Sequence, residues 1–441
     1  MFSVGNHGVV RMKEIGVGLL GFGTVGAGVV EGLQRNGDIL AKRLGVRLVL
    51  RRIADLDITS DRGVKVDPAL LTTDAAALID SPDVDVVVEL IGGTGIAKTL
   101  VMRALAAGKP VVTANKKLLA EYGAELYALA AKQGADLYFG ASVGGAIPII
   151  RALREALCAN AILGIQGILN GTCNYILTRM ENEGLDFNTV LGDAQRLGFA
   201  EADPGLDIDG FDTAHKAVIL ASLAYGAPVD LKKVYIEGIR GLEKVDNDYA
   251  AGFGYRIKLL ATICREGDAL DVRVHPTLVP IDDVLASVSG VFNAVMVESD
   301  LAGKTLYYGR GAGRLPTAST VLGDVADVAR NLAKDASLRV PALPPTGETL
   351  PIKPIAEIHS RYYLRLCVLD QPGVLAQVTG ILGNRGISIE SVLQKGTTNE
   401  GRSAVVIMTH KALEADMNAA LTGINALPAI CAPTVRLRVA G

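Results

Sequence analysis

The sequence predicts an α/β protein in which a doubly wound parallel sheet is followed by an α+β domain and a small C-terminal βαββαβ domain. From Glu14 to about Pro148, short β-rich runs alternate with helical segments rich in Ala and Leu. Such alternation is typical of a parallel sheet covered by helices. The pattern changes after Ala152, and a proline-rich segment without periodicity, Val340–Ile355, precedes a second series of strands and helices.

The predicted elements follow in chain order. In the first part, the strands are Ile15–Leu20, Val46–Ile53, Val84–Leu90, Pro110–Thr113 and Asp136–Phe139, and the helices include Thr99–Ala107 and Leu118–Lys132. In the second part, the strands are Ala161–Leu169 and Val234–Ile239, and the helices are Phe211–Tyr225 and Thr317–Ala333. The last of these helices is apolar, and we expect it to return to the first domain. Beyond the proline-rich segment, Tyr362–Val439 is predicted to run strand, helix, strand, strand, helix, strand.

Composition and charge argue against several classes of protein. The 44 Lys and Arg residues nearly balance the 47 Asp and Glu residues, so a net charge of −3 gives no electrostatic reason to bind nucleic acid or an anionic membrane. The five cysteines form no CxxC pair and the five histidines are dispersed, which disfavours a disulfide framework and a zinc site. No apolar run approaches the roughly 20 residues of a membrane span, and the start of the chain lacks a signal-peptide pattern. We therefore expect a cytoplasmic protein.

A glycine-rich motif follows the first predicted strand and opens an Ala/Val-rich helix. It matches G-x-G-x-x-G and consists of Gly21, Phe22, Gly23, Thr24, Val25 and Gly26. In this setting the first glycine permits a tight turn, the second lets the backbone approach a pyrophosphate, and the third allows close packing of the helix. The N–H groups at the helix N-terminus then face the phosphate charge. The motif predicts a Rossmann-type dinucleotide-binding domain, and the alternative is a glycine-rich turn without a ligand.

An acidic residue, Asp55, follows the second predicted strand. A carboxylate at this position accepts hydrogen bonds from the ribose hydroxyls of NAD, so we favour Asp55 as a cofactor-binding residue and NAD as the cofactor. Asp57 is a rival for the same role. Arg51 or Arg52 would instead meet the 2′-phosphate of NADP, so the choice between NAD and NADP stays open.

The segment from Glu201 to Asp212 contains five carboxylates in twelve residues, and Lys216 follows it. Asp212 and Lys216 are separated by four residues, which places their side chains on one face of the predicted helix. An ammonium held against a carboxylate stays charged and fixed, which suits a proton donor to a carbonyl oxygen during hydride transfer. The alternative is a solvated acidic loop with a salt bridge on the helix surface.

The stretch GFAEADPGLDIDGFDTAHK, residues 198–216, resembles the signature of the homoserine dehydrogenase family at every fixed position. The resemblance implies that Glu201 binds the substrate ammonium, that Asp207 supports this site, and that Asp212 and Lys216 flank the reacting carbon. Lys216 would be the acid–base group. The reaction would be reversible hydride transfer between NAD(P)H and L-aspartate 4-semialdehyde, giving L-homoserine.

Further segments are similar to the same family. Val111–Lys116 resembles a strand-end segment whose lysine, Lys116, would lie beside nicotinamide and substrate; an exposed lysine at a helix start is the alternative. The Asn170-Gly171-Thr172 loop resembles one whose backbone faces the substrate, with Thr172 as a binding residue. Gly309–Pro316 resembles a turn that closes over the cofactor, with Gly313 as its best candidate and plain loop glycines as the alternative. Thr94 is a further predicted cofactor-binding residue.

The loop Gly140–Pro148 resembles the monovalent-cation loop of this family, in which a glutamate usually stands where this chain has Gly140. The resemblance implies a sodium site formed by backbone carbonyls, which any residue can supply. A structural turn without an ion is the alternative. The implied ligands are Gly140, Val143, Gly145 and Ile147.

The C-terminal part resembles an ACT domain, a βαββαβ unit that binds amino acids, in the pattern D-x-P-G-V-L…G-I-S-I. Gly373 would let the carboxylate of an amino acid approach the N-terminus of the following helix. The alternative is a module that serves only for dimerisation. The predicted effector residues are Asp370, Gly373, Val374 and Leu375.

Together these patterns give the predicted organisation of the chain. We assign residues 1–13 to an N-terminal extension, 14–150 to the dinucleotide-binding domain, 151–316 to a substrate and dimerisation domain, 340–360 to a linker, and 361–441 to the ACT domain. We expect the ACT domain to fold independently, and we expect the monofunctional form of the enzyme, because no kinase-like segment precedes the first strand. L-threonine is the expected effector, and the expected assembly is a homodimer or homotetramer. The alternative functions are a non-catalytic amino-acid sensor and an aspartate-semialdehyde dehydrogenase, which needs an acylating cysteine. The nearest candidate for that role is Cys173, which has no histidine near it in the sequence, and this argues against the second alternative.

Overall fold

The computed structural model describes residues 12–344, 349–397 and 401–441, so most of the predicted N-terminal extension, residues 1–11, lies outside the described part. The chain divides into two compact units. The first contains the described residues of Met1–Ala159, Ser222–Pro228 and Arg310–Glu348. The second contains those of Asn160–Ala221, Val229–Gly309 and Thr349–Gly441.

The strands and helices have the following bounds. The strands are β1 (Glu14–Leu20), β2 (Arg47–Ala54), β3 (Leu71–Thr72), β4 (Val86–Glu89), β5 (Val111–Thr113), β6 (Leu137–Tyr138), β7 (Ile162–Ile168), β8 (Tyr235–Ile236), β9 (Tyr255–Glu266), β10 (Ala269–Pro280), β11 (Phe292–Ser299), β12 (Gly303–Arg310), β13 (His359–Leu369), β14 (Ile389–Thr397), β15 (Arg402–Thr409), β16 (Ala412–Leu413) and β17 (Ile430–Val439). The helices are α1 (Thr24–Leu44), α2 (Ala75–Asp80), α3 (Ile96–Ala106), α4 (Lys116–Gln133), α5 (Ile149–Arg151), α6 (Gly171–Glu183), α7 (Phe187–Arg196), α8 (Gly205–Ile208), α9 (Phe211–Tyr225), α10 (Lys244–Gly252), α11 (Arg314–Ala333), α12 (Val374–Asn384) and α13 (Glu414–Asn425).

The first unit contains a parallel sheet with the strand order β3-β2-β1-β4-β5-β6. This is the order of the Rossmann fold, so the predicted fold class is confirmed. The helix α11 packs against α1 at two glycines. A Cβ atom on Gly28 would lie 2.6 Å from the Arg314 carbonyl oxygen, and one on Gly32 would lie 2.5 Å from Leu322 Cδ1. Glycine at these positions lets the two helices approach closely.

The second unit contains a long mixed sheet with the order β12-β11-β7-β9-β10-β17-β13-β15-β14. Its C-terminal part has the βαββαβ order predicted for an ACT domain, and α12 and α13 cover an apolar core that includes Leu364, Val378 and Met417. The last strand, β17, pairs in parallel with β10 through Thr277↔Arg438 and Leu278↔Val439. The C-terminal strands therefore continue the sheet of the preceding segment, and independent folding of the ACT domain stays a prediction.

Two smaller features complete the description. The predicted strand Val234–Ile239 is shorter in the structure, where only β8 remains. After β8 the chain approaches the end of α8 so closely that a Cβ atom on Gly238 would lie 2.1 Å from the Ile208 carbonyl oxygen. The predicted linker touches the sheet, since Ile352 forms a β-bridge with Leu270. No helix among the described residues is both long and apolar enough to cross a membrane.

Candidate active site

The glycine-rich loop lies at the carboxyl end of β1, where ligands bind in open α/β sheets. Gly21 has φ +99°, and a Cβ atom on it would lie 2.8 Å from the backbone of Leu90, so glycine is required there. A Cβ atom on Gly26 would lie 2.2 Å from the Gly21 carbonyl oxygen. A Cβ atom on Gly23 would meet nothing within 4 Å, which leaves an open approach to the loop and to the start of α1. The loop thus has the form that a pyrophosphate requires.

Asp55 is held against this loop. One oxygen of its carboxylate accepts a hydrogen bond from the Phe22 N–H at 2.5 Å, and the other accepts one from the Asp57 N–H at 3.0 Å. The Asp57 carboxylate has other partners, because it accepts hydrogen bonds from Ser60 and Thr59 and pairs with Arg62 at 2.9 Å. The hydrogen bonds from Ser60 and Thr59 hold the pKa of Asp57 well below its usual value. Of the two carboxylates, Asp55 is the one that touches the glycine-rich loop.

The two arginines that could meet the 2′-phosphate of NADP differ in their surroundings. Arg51 forms an ion pair with Glu14 at 2.7 Å, whereas Arg52 is exposed.

A buried carboxylate, Glu89, connects the ends of β4 and β5. It accepts hydrogen bonds from the Thr113 hydroxyl at 2.6 Å and from the N–H groups of Ile91 and Gly92. The side chain of Asn115 donates to the Gly93 carbonyl at 2.7 Å, and its Oδ1 caps α4. These contacts order the loops that carry two predicted residues. Thr94 is half-buried in the loop before α3, and Lys116 is the half-buried first residue of α4.

Sequence reasoning missed Glu89 and Asn115. The signal for Glu89 was available, since an acidic residue ends an otherwise apolar strand.

The predicted closing turn contains Gly313, which has φ +128° and precedes α11. The predicted cation loop is buried at Gly140, Val143, Gly145 and Ile147. The Gly140 N–H donates to Asp324 at 2.7 Å, and a Cβ atom on Gly140 would lie 2.8 Å from the same carboxylate. Asp324 therefore occupies the space that a larger residue at position 140 would need. Two of the predicted ligand carbonyls already accept hydrogen bonds: the Gly145 oxygen from the Thr320 hydroxyl, and the Ile147 oxygen from the Ile149 N–H. Sodium binding by this loop stays a prediction.

In the second unit, α9 presents Asp212 and Lys216 one turn apart, as their spacing predicts. Lys216 Nζ donates to Asp212 Oδ2 at 2.7 Å and to the Leu169 carbonyl oxygen at 2.6 Å. Asp212 is 3% exposed and Lys216 is 8% exposed, so this is not a salt bridge on the helix surface. Burial strengthens the pairing and holds the ammonium group in one position.

Asn170 joins the acidic segment to this pair. Its Nδ2 donates to Asp207 Oδ1 at 2.7 Å and to Asp212 Oδ2 at 2.8 Å, while its Oδ1 accepts from the Cys173 N–H and caps α6. The sequence drew attention to this loop for its backbone and missed the role of the side chain.

The other two predicted substrate-binding residues lie at the edge of this cluster. The Thr172 hydroxyl donates to the Phe199 carbonyl at 2.6 Å, and Glu201 is exposed in the loop before α8. The structure thus connects Asp207, Asp212 and Lys216 by hydrogen bonds and leaves Glu201 accessible.

Cys173, the candidate acylating cysteine, is fully buried. Its Sγ donates to the Asp207 carbonyl at 3.2 Å. Burial, with the nearby charge of Asp207, raises the pKa of this thiol well above its usual value. A buried thiol that stays protonated is a poor nucleophile, which argues against the aspartate-semialdehyde dehydrogenase alternative.

Three of the four predicted effector residues line a cavity in the ACT domain. Asp370, Val374 and Leu375 line it together with Val378 and Gln394. Gly373 has φ +88° and directly precedes α12, a conformation that glycine adopts without strain.

Comparisons with known proteins agree with these observations. A family model described as "Homoserine dehydrogenase, NAD binding domain" matches residues 21–140, one described as "Homoserine dehydrogenase" matches residues 148–326, and an ACT domain model matches residues 362–428. A homoserine dehydrogenase from Neisseria gonorrhoeae is 46% identical over 97% of this chain and 99% of its own length.

Two solved structures extend the similarity to three dimensions. The crystal structure of a homoserine dehydrogenase from Thiobacillus denitrificans matches with a TM-score of 0.91 and 45% identity, over 97% of this chain and 99% of that one. A hyperthermophilic archaeal homoserine dehydrogenase in complex with NADPH matches with a TM-score of 0.62 and 28% identity, over 71% of this chain and 97% of that one.

Proposed function

We propose that this chain, which belongs to the homoserine dehydrogenase family, uses Lys216 as the acid–base group of its reaction. The chain is an NAD(P)-dependent oxidoreductase that interconverts L-aspartate 4-semialdehyde and L-homoserine. The observation that supports the role of Lys216 is the placement of its Nζ between Asp212 Oδ2 and the Leu169 carbonyl. An ammonium group held by these acceptors keeps its proton in a fixed position.

Lys216 and Asp212 have different roles in the reaction. NAD(P)H held at the glycine-rich loop would supply the hydride, and NAD(P)⁺ would accept it in the reverse direction. When hydride reaches the carbonyl carbon of the semialdehyde, negative charge develops on its oxygen, and Lys216 donates the proton that this oxygen takes up. In the oxidation of homoserine, Lys216 accepts the hydroxyl proton. Asp212 favours the charged form of Lys216 and fixes its position.

The remaining predicted residues bind and orient the substrate. We assign the accessible Glu201 to the substrate ammonium and Asp207 to the support of this site through Asn170. We also propose that Thr172 and Lys116 bind at the substrate. These roles rest on the resemblance of the motifs and on the positions described above.

The assay that tests the activity mixes the purified chain with L-homoserine and either NAD or NADP and follows the absorbance of the reduced nicotinamide. We expect reduction that depends on homoserine. A chain that binds amino acids and produces no reduced nicotinamide with either cofactor would instead be the non-catalytic sensor.

We propose that Asp55 favours NAD over NADP. Because Asp55 touches the glycine-rich loop, its charge would repel a 2′-phosphate, and its oxygens would accept hydrogen bonds from the ribose hydroxyls. Asp55→Asn should shift the ratio of kcat/KM values towards NADP by about 1.5–3 kcal/mol, the value of a hydrogen bond to a charged group. The matched change is Asp57→Asn, two residues away. A ratio that moves in Asp57→Asn and stays constant in Asp55→Asn would assign the role to Asp57.

We propose that L-threonine binds the ACT cavity and inhibits the enzyme, which would place the enzyme in threonine, methionine and isoleucine biosynthesis. Asp370 lines this cavity, so Asp370→Asn should weaken inhibition by threonine. The control is Asp416→Asn, on α13 in the same domain. Threonine should inhibit this variant as strongly as it inhibits the unchanged chain. Reciprocal coupling between the two sites should amount to about 1–3 kcal/mol.

The measurement for this prediction is a threonine titration of all three proteins at a fixed homoserine concentration. Inhibition that is equal in the three would place the effector site elsewhere.

The assembly as a homodimer or homotetramer and the cytoplasmic location stay predictions.

A further inference from the structure

We propose that Asn293 is a positioning residue for Lys216. Asn293 Nδ2 donates to the Leu169 carbonyl oxygen at 2.8 Å, and the same oxygen accepts the hydrogen bond from Lys216 Nζ at 2.6 Å. The asparagine side chain is 1% exposed, so water does not compete for this contact. The inference rests on the proposed role of Lys216 and adds a residue that the family signature does not contain.

The position of Leu169 explains why its carbonyl needs a second donor. Leu169 directly follows the last residue of β7, and Asn293 belongs to β11, where the next residue, Ala294, pairs with Ile168. The Leu169 carbonyl therefore lies where the strand passes into the loop that leads to α6. A carbonyl oxygen has two acceptor positions, and here Asn293 and Lys216 occupy both. Because Asn293 extends from a sheet strand, it holds this carbonyl in one orientation, and the carbonyl holds Nζ.

The amide of Asn293 suits this position better than a carboxylate. Only an amide donates to the Leu169 oxygen, since an ionised carboxylate has no proton to give. A carboxylate would also add a third negative charge to a cluster that already contains Asp207 and Asp212 beside Lys216. Asn293 Oδ1 is buried and has no hydrogen-bond partner among the described residues.

The test compares two variants of the full chain, Asn293→Ala and Asn293→Asp. In Asn293→Ala, we expect kcat for homoserine oxidation to fall by about 3- to 10-fold, the effect of one hydrogen bond, with KM for the dinucleotide unchanged. In Asn293→Asp, which keeps the size of the side chain, we expect the pH profile of kcat to move to higher pH. An added negative charge near Lys216 favours its charged form.

A matched control is Asn174→Ala. Asn174 is also a buried asparagine, 2% exposed, and its Nδ2 donates to another backbone carbonyl, that of Phe292, at 3.1 Å. Its Oδ1 faces Lys258 and not Lys216. The thermal midpoint of unfolding should fall in both alanine variants, whereas kcat and its pH profile should change only at position 293.

Two outcomes would overturn the inference, and they differ in what else they remove. If Lys216→Met loses activity while both Asn293 variants keep the kcat and the pH profile of the unchanged chain, only the role of Asn293 fails. If Lys216→Met keeps its activity, the proposed acid–base role fails, and the role of Asn293 fails with it.

Discussion

Replacing Lys216 with methionine is expected to lower kcat for homoserine oxidation by about 10²–10⁴-fold, the usual contribution of general acid–base catalysis. Methionine keeps an unbranched side chain and loses the proton that the reaction exchanges. Dinucleotide binding, measured by the fluorescence of the reduced nicotinamide, should stay close to that of the unchanged chain, because the glycine-rich loop belongs to the other unit of the chain.

Lys258→Met is the matched control for this change. Lys258 is likewise buried, at 2% exposure, and donates to a backbone carbonyl, that of Val288, at 2.7 Å. Burial lowers the pKa of Lys258 to about 8. Since this second lysine is also buried, burial of a lysine does not by itself identify the catalytic group. The control should keep kcat within a small factor of the unchanged value for the fraction that folds. A near-normal kcat in Lys216→Met would contradict the assignment, and a loss of kcat in Lys258→Met as large as that in Lys216→Met would show that the effect is not specific to Lys216.

The second large effect is expected at Arg438, which lies in β17 where the ACT strands join the rest of the sheet. Arg438 and Glu414 are each 1% exposed and form a bidentate ion pair, with N–O distances of 2.5 and 3.0 Å. Arg438 also donates to Glu237 at 2.8 Å and lies over the ring of Tyr235. Arg438→Met should leave Glu414 buried with one partner fewer and lower the free energy of unfolding by up to about 3–5 kcal/mol.

The loss should depend on pH. Burial raises the pKa of Glu414, but the hydrogen bond and charge of Arg438, with the charge of Arg436, outweigh it, so the pKa lies below its ordinary value of 4.5. A carboxylate with a lowered pKa stabilises the fold above that ordinary value, and this contribution disappears as the pH falls through the folded-state pKa. The difference between Arg438→Met and the unchanged chain should therefore be largest near neutral pH and shrink below about pH 4.5.

Urea titrations across this pH range provide the measurement. The control is Arg361→Met, because Arg361 pairs with Glu390 in the same domain and both side chains are partly exposed, at 24% and 38%. Such a pair contributes about 0–1 kcal/mol. Equal losses at positions 438 and 361 would mean that the junction between β17 and β10 does not depend on the buried pair.

Local patterns in the sequence were sufficient where one element carries the whole feature. The glycine-rich loop needs only a strand, a turn and a helix in succession, and its glycines occupy the predicted positions. The pairing of Asp212 with Lys216 follows from helical spacing alone. The long strands β9 to β12 were not predicted, although Gly267-Asp268 between β9 and β10 is a recognised hairpin signal and Gly267 has φ +61°. Their mixed polarity gives a weaker pattern than the apolar strands of the parallel sheet.

The tertiary structure decided which distant side chains meet. Asn170 and Asn293 reach the Lys216 cluster because β7 and β11 pair in one particular register, and a one-residue shift would point Asn293 to the other face of the sheet. The proline-rich segment predicted a detachable ACT domain, which stays a prediction, and only the tertiary structure shows that β17 pairs with β10 in one sheet. Register and sheet order depend on hydrogen bonds and side-chain packing between segments that are far apart in the chain. A pattern of neighbouring residues therefore does not predict them.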